Sequence, residues 1–358
     1  MKKFFLPLLL VSILTVGCSK NDTEPHFEYD KEAEQETLVL HTDVQRAYLK
    51  DKVENINLYV RGVEELSRPL KPTFAWEGEN QTYTVHLSEK EDYSDSLTYT
   101  VNEPQVSFTN LKIHTKYYYK VINGDNVVKE ESFLTSSEII RNMYVSGITN
   151  VRDLGGYKVS EGYTNQGLIY RTARLNNGGT TITEKGINTM LNEMKVKSEI
   201  DLRMVENDEV GGLTEGVGPL GESVKYYQCP MNYDLGMDNE ANDPSLRKVF
   251  SILGNKTNYP TFFHCAIGTD RTGYIAWLIN GLLGLNEEYL WRDYLFSNFG
   301  KIGSKRSKSS IENKYVKHIK ETRGETLQEK TKNFLLDKGV KQEEIDVIRE
   351  MMLPNCNV

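Results

Sequence analysis

Two rhythms of apolar and polar residues divide this chain. Between residues 37 and 137, short segments rich in β-branched and aromatic residues alternate with clusters of turn formers, as at 82–87, 97–101 and 116–121. No long helical period interrupts them, and Trp76 sits early enough to anchor a core. That spacing predicts a β-sandwich. From residue 139 the rhythm changes to buried strands separated by helical patterns, the sign of an α/β domain. Residues 182–195 put Ile187, Met190, Leu191 and Met194 at helical spacing. Runs at 196–202, 226–230 and 259–263 read as buried strands, and 274–285 reads as the helix after the last of them. Further helices are expected over 286–298, 310–324 and 342–352, the last after a turn at Gly339. Strands of this kind make a mostly parallel sheet, whose ligands sit at the strand C-termini.

Composition narrows the partners. The 358 residues allow two or three domains, and 38% hydrophobic residues with 21 Tyr and 12 Phe suffice for real cores. A net charge of -8 argues against nucleic acid as a partner. Lys2 and Lys3 precede an apolar run, 4–16, too short to span a bilayer, which is the pattern of an export signal. The run ends Leu14-Thr15-Val16-Gly17-Cys18, which resembles a bacterial lipobox. That resemblance implies a signal peptide over 1–18 and an acylated Cys18 that partners a lipid membrane. Thr15 stands where leucine is usual, so a plain signal peptide stays open. Residues 19–36 are polar and acidic and read as a flexible tether. Their first six residues resemble the acidic surface-export signal of bacterial lipoproteins. The expected location is an exported lipoprotein, anchored at the outer membrane on its periplasmic face or at the cell surface. Without Cys18, the remaining Cys229, Cys265 and Cys356 are odd in number, so at least one thiol stays free. Cys229 is either a strand residue or a reversible disulfide partner that shields Cys265.

The chemistry concentrates at His264-Cys265-Ala266-Ile267-Gly268-Thr269-Asp270-Arg271-Thr272-Gly273. A loop between a strand end and a helix start aims several backbone N–H groups at one point, which makes an anion nest. That field lowers the Cys265 thiol pKa, so a thiolate nucleophile exists at neutral pH. Arg271 adds a planar fork that matches two phosphoryl oxygens. Gly268 and Gly273 permit tight curvature and close approach. Ala266, Ile267, Gly268, Thr269, Asp270 and Arg271 are therefore the candidate substrate-binding residues. Attack by sulfur on phosphorus would give a cysteinyl-phosphate that water hydrolyses. No metal or cofactor is expected.

The loop resembles the signature of the cysteine-dependent protein tyrosine phosphatase superfamily. Asn150-Val151-Arg152-Asp153-Leu154-Gly155-Gly156-Tyr157, then Tyr170-Arg171-Thr172-Ala173, Asp201-Leu202-Arg203 and Asp293-Tyr294, resemble the motifs of its bacterial tyrosine and lipid phosphatase branch. The resemblance runs across most of residues 150–353. It implies that the pairs Arg152 with Asp153, and Asp201 with Arg203, brace the loop from behind. Thr269 stands where that branch usually has a lysine, which removes a positive charge from the mouth of the site. This favours phosphotyrosine in protein, or another monoester, over phosphoinositide or inositol phosphate. Two carboxyls are candidates to protonate the leaving oxygen. Asp270 lies in the loop, where the resembling branch is thought to place its acid, and Asp234 lies 31 residues before Cys265 by subtraction. Thr272 would hydrogen-bond the sulfur, and His264 would orient the loop. Between residues 300 and 320 seven Lys or Arg accompany one Glu, as a basic lid or as a solvated helix face.

In the β-rich part, Leu111, Thr115 and Tyr117 resemble the tyrosine corner of fibronectin type III domains. The expected architecture is therefore an all-β immunoglobulin-like sandwich over 37–138, followed by an α/β phosphatase domain over 139–358 with a central mostly parallel sheet flanked by helices. The rivals are a phosphate-binding or adhesion lipoprotein without turnover, and a sulfurtransferase.

Overall fold

Thr42 opens the first helix of the computed structural model, which describes residues 37–178 and 181–354. The Thr42 hydroxyl accepts from the Gln45 N–H, and the Gln45 amide oxygen accepts from the Thr42 N–H. This capping box fixes α1 (Asp43–Leu49), which α2 (Ile56–Tyr59) follows. Tyr48, Leu49, Val53, Ile56 and Val60 enter the main hydrophobic core. The sequence rhythm assigns this stretch to the β-rich part. The structure gives it to the α/β core instead, because the capped turn stacks its apolar residues on one side. The expected export signal, Cys18, the tether and Cys356 lie outside the described residues. No helix among the described residues is long and apolar enough to cross a membrane.

Six strands follow: β1 (Thr73–Ala75), β2 (Tyr83–Ser88), β3 (Leu97–Val101), β4 (Gln105–Ser107), β5 (Lys116–Asn123) and β6 (Asn126–Leu134). They form an antiparallel sheet in the order β3-β2-β5-β6 and a β1-β4 pair. Tyr117, Tyr119 and Val121 alternate inward along β5 and share one core with Val85 and Phe108. Tyr118 turns to the other face, so the tyrosine run serves two sheet faces. The Tyr117 hydroxyl accepts from the Lys112 N–H at 2.8 Å, a bond back to upstream backbone of the kind a tyrosine corner makes.

The remaining strands are β7 (Arg152–Asp153), the hairpin β8 (Lys158–Val159) and β9 (Gly162–Tyr163), β10 (Ile169–Thr172), β11 (Ser198–Asp201), β12 (Gly216–Val217), β13 (Lys225–Gln228) and β14 (Thr261–His264). A six-stranded sheet runs β12-β13-β11-β14-β10-β7, with its four inner strands parallel and both edges antiparallel. The helices are α3 (Glu184–Asn188), α4 (Asp243–Leu253), α5 (Asp270–Leu282), α6 (Glu287–Phe296), α7 (Lys317–Glu321), α8 (Leu327–Asp337) and α9 (Gln342–Met352). Phe262 and Phe263 on β14 point to opposite cores, as the two-residue strand period requires. α5 is buried from Arg271 to Leu282, so it is apolar on nearly every side. The helix expected over 182–195 is α3 continued by a wider π turn, Thr189–Glu193. That expected over 310–324 is helical only as α7, after a kink at Asn313 and Lys314.

The β-rich and α/β parts belong to one compact unit. Arg141 joins them: it donates to the Asn110 carbonyl at 2.7 Å and the Leu111 carbonyl at 3.2 Å, and pairs with buried Asp153. Gln166 and Ile113 exchange two further bonds, at 3.0 and 2.8 Å. A cleft of about 370 Å³ lies at this junction, lined among others by Tyr99, Tyr117, Arg141, Tyr170 and Glu193, and Cys265 is not part of it. Arg141→Ala would leave Asp153 buried beside an empty guanidinium site, so we expect a loss of about 3 kcal/mol in denaturant unfolding. A loss under about 1 kcal/mol would mean that the junction does not depend on this pair.

Candidate active site

β14 ends at His264 and α5 begins at Asp270, so residues 265–269 form the turn between a central strand and a buried helix. Gly268 has φ +69°, and a Cβ there would collide with the Thr172 carbonyl. Only glycine lets this turn lie against β10. Gly273 brings α5 close to α6, since a Cβ there would sit 2.9 Å from the Tyr294 ring. Among the described residues, no N–H from Ala266 to Arg271 donates to a protein acceptor. Six amides around one turn are thus left without protein acceptors, as an anion nest requires.

Cys265 lies at the base of this turn and is only 2% exposed. Burial by itself raises its thiol pKa. The Arg271 guanidinium, together with the Thr272 hydroxyl and N–H, outweighs burial and holds the thiol below its ordinary value. The Thr272 hydroxyl has no ideally aligned partner of its own, so the sulfur is the charge it answers. Cys229 behaves oppositely. It is a free, fully buried thiol just beyond β13, and burial pushes it up to about 12.

Arg271 spends one nitrogen on the protein: Nη1 donates to Glu209 Oε2 at 2.6 Å and to the Leu202 carbonyl at 3.3 Å. Its Nε and Nη2 have no acceptor among the described residues, which leaves a two-pronged donor for an oxyanion. Glu209 also accepts from the Met204 N–H at 3.0 Å, and its pKa is lowered, with Arg271 and this bond overcoming partial burial. The sequence did not single out Glu209, because Glu206, Asp208 and Glu209 are indistinguishable in one acidic run.

The turn is braced from behind by buried ion pairs. Asn150 Nδ2 donates to the Ile267 carbonyl at 3.1 Å and the Gly268 carbonyl at 3.0 Å. Arg171 Nη2 donates to the Gly268 carbonyl at 2.8 Å and pairs with Asp293, which also pairs with Arg152. Burial and the neighbouring Arg171 lower the Arg152 pKa to about 10. Arg152 is thus paired with Asp293 on α6 rather than with Asp153. Asp153 instead pairs with Arg141 and accepts from the Gly155 and Gly167 N–H groups, so it organises the junction. Thr269 is fully buried, with Oγ1 3.4 Å from Asn150 Nδ2. Its hydroxyl joins this bracing, donating to the Ile267 carbonyl at 3.4 Å.

His264 sits 2.9 Å from Glu199 and its other ring nitrogen 3.3 Å from the Cys265 carbonyl. Burial opposes the imidazolium, but Asp201 and Glu199 together raise its pKa. Arg203 pairs with Asp201 at 2.7 Å, as the resemblance implies. Glu199, Asp201 and His264 are close enough to pose as metal ligands. Arg203 meets both Asp201 oxygens from within the same cluster.

The two candidate acids differ in setting. Asp270 opens α5 and is clamped by Arg306, whose Nε and Nη2 each donate at 2.9 Å. Asp234 is exposed beyond β13 and has no ion pair among the described residues. Its neighbour Tyr233 has a raised pKa, chiefly through Asp270, which brings this loop beside the turn. Arg306 lies within the basic segment and is not a solvated charge, as the helix-face alternative would have it.

A profile of the tyrosine phosphatase family matches residues 143–354. The chain belongs to that family. It is a phosphoric monoester hydrolase. Among solved structures it is similar to the core catalytic domain of the PP-IP phosphatase SIW14 from S. cerevisiae, crystallised with citrate. The identity is 22%, over 41% of this chain and 77% of that one, with a TM-score of 0.28. It is also similar to P. aeruginosa TpbA in complex with phosphotyrosine, at 14% identity over 49% of this chain and 89% of that one, with a TM-score of 0.30. No curated protein matches.

The two thiols give a direct chemical test. A lowered pKa keeps the thiolate present as pH falls, so Cys265 alkylation by iodoacetamide should have its midpoint below that of free cysteine. Inorganic phosphate should slow it, and Cys229 should react only on unfolding. Peptide mapping that finds Cys229 labelled first, or a Cys265 midpoint at or above that of free cysteine, contradicts this electrostatics.

Proposed function

We propose that this hydrolase acts on phosphotyrosine in protein through a cysteinyl-phosphate on Cys265. The observation that carries the reading is the thiol of lowered pKa beneath six unpartnered amides, with two free donors of Arg271 beside it. The amides of residues 266–271 and Arg271 take the non-bridging phosphoryl oxygens and stabilise the charge that develops on them. Cys265 Sγ forms the S–P bond as the bond to the tyrosyl oxygen breaks. That oxygen takes a proton from Asp270 or Asp234. Water then attacks the phosphorus, the same carboxylate accepts its proton, and the sulfur leaves as thiolate, eased by Thr272. Glu209 fixes the Arg271 fork, while Asn150, Arg171 and His264 hold the turn.

Thr269 supports phosphotyrosine over phosphoinositide or inositol phosphate, because its buried side chain brings no charge to the mouth. Exposed Tyr233 and Leu235 next to the turn suit a peptide better than a bare polyphosphate. For the whole protein we propose an exported lipoprotein held to a membrane through acylated Cys18. In this picture the fibronectin type III-like part, supported by the Tyr117 bond, sets the catalytic part away from the lipid.

Cys265→Ser should abolish hydrolysis of p-nitrophenyl phosphate and of phosphotyrosyl peptides while phosphate binding persists. Residual turnover within about tenfold of the parent would remove the covalent mechanism. The acid is identified by Asp270→Asn and Asp234→Asn. The correct replacement lowers kcat by about 10²- to 10⁴-fold and removes the basic limb of the pH profile. If neither does, the leaving oxygen takes its proton from elsewhere.

A further inference from the structure

Arg306 occupies a position that the chemistry above does not use. Its guanidinium closes on both Asp270 oxygens at 2.9 Å, while Nη1 turns back to the Ser304 hydroxyl at 2.8 Å. Its backbone is held separately: the N–H donates to Asn298 Oδ1 at 2.7 Å, and the carbonyl accepts from Asn298 Nδ2 at 3.1 Å. The side chain can therefore swing without unfolding its loop. Tyr294 from α6 reaches Asp270 at 3.4 Å, and Tyr233 and Tyr315 also feel its charge. Arg306 is the cation that meets Asp270 from outside its own turn.

Two further observations place this contact at the substrate mouth. Lys301 and Lys305, on the same loop, are exposed and have no carboxylate partner among the described residues. The Lys301 N–H donates to Thr149, next to the Asn150 that holds the Ile267 and Gly268 carbonyls. The loop thus meets the turn at Asp270 through Arg306 and lies beside Asn150 through the Lys301 N–H, and it carries three cations. Exposed Tyr233 and Leu235 lie on the loop after β13, and Tyr233 feels the charges of both Asp270 and Arg306. With both oxygens engaged by the fork, Asp270 is committed to Arg306 and not to a leaving group.

We propose that Arg306 determines specificity, by leaving Asp270 for an acidic side chain beside the phosphotyrosine of the substrate and so freeing Asp270 to protonate the tyrosyl oxygen. This rests on the phosphotyrosine reading with Asp270, of the two candidates, as the acid. The exchange replaces one carboxylate by another on the same fork, so little is lost in making it. Lys301 and Lys305 draw the acidic peptide in, and the rate should fall with salt. Substrates without the neighbouring acid leave the latch closed and are turned over slowly, which is a difference in kcat as well as in KM.

The test compares phosphotyrosyl peptides that differ only in Glu or Ala beside the phosphotyrosine, with p-nitrophenyl phosphate as the common reference. The parent enzyme should prefer the Glu peptide by about tenfold or more in kcat/KM, with part of the difference in kcat. Arg306→Gln should bring that ratio to within about twofold while keeping or raising kcat on the Ala peptide, and Arg306→Lys should restore part of it. Lys116→Gln, a charge removal on the β-rich part, should leave the ratio as it was. A parent without preference, a ratio unchanged in Arg306→Gln, or equal loss on every substrate overturns the proposal. If p-nitrophenyl phosphate is hydrolysed but neither peptide is, the phosphotyrosine reading itself falls and takes this proposal with it.

Discussion

A turn of six backbone amides with no acceptor of their own is the constraint from which the rest follows. Buried N–H groups without partners are costly, and a chain keeps them only where the surrounding structure forces the turn. Here the force comes from carbonyls. Those of Ile267 and Gly268 are tied by Asn150 and Arg171, so the N–H groups of the same peptides must face the other way. The same turn sets the Arg271 guanidinium, and with it the Thr272 hydroxyl and N–H, against Cys265, and these let a buried sulfur carry charge. Binding of an oxyanion and ionisation of the thiol are thus two consequences of one backbone conformation.

Charge neutrality explains the second layer. Asp293 lies between Arg152 and Arg171, Asp201 against Arg203, and Glu199 against His264, all inside the protein. Each lone charge would be expensive there, and removing one partner strands the other. The layer therefore gives rigidity and orientation more than stability. It fixes Arg171 on Gly268 and His264 on the Cys265 carbonyl. Asp270 and Arg306 differ from these in being only half-buried, at the start of α5.

Much of this was legible in the sequence. The strand, turn and helix around Cys265 followed from two apolar runs and two glycines, and α9 lies over the residues that the turn at Gly339 anticipates. Asp201 and Arg203 are two apart on one strand end, so their pairing is local and readable. Arg152 and Asp293 are 141 positions apart, and nothing in the spacing favours Asp293 over neighbouring Asp153. Glu209 and Arg306 were hidden for the same reason, one within an acidic run and the other within a basic one. Residues 43–60 misled because short helices beside β-rich segments carry no long period; only the Thr42 capping box marks them.

With Cys265 as the nucleophile, phosphate must pass through its sulfur. Mixing the protein with a phosphotyrosyl peptide, quenching in acid within one turnover, and mapping the phosphate by mass spectrometry shows whether it does. Phosphate is expected on the peptide that contains Cys265, decaying as inorganic phosphate appears. Turnover with no phosphoenzyme on that peptide, or phosphate on another residue that decays at the catalytic rate, would contradict it.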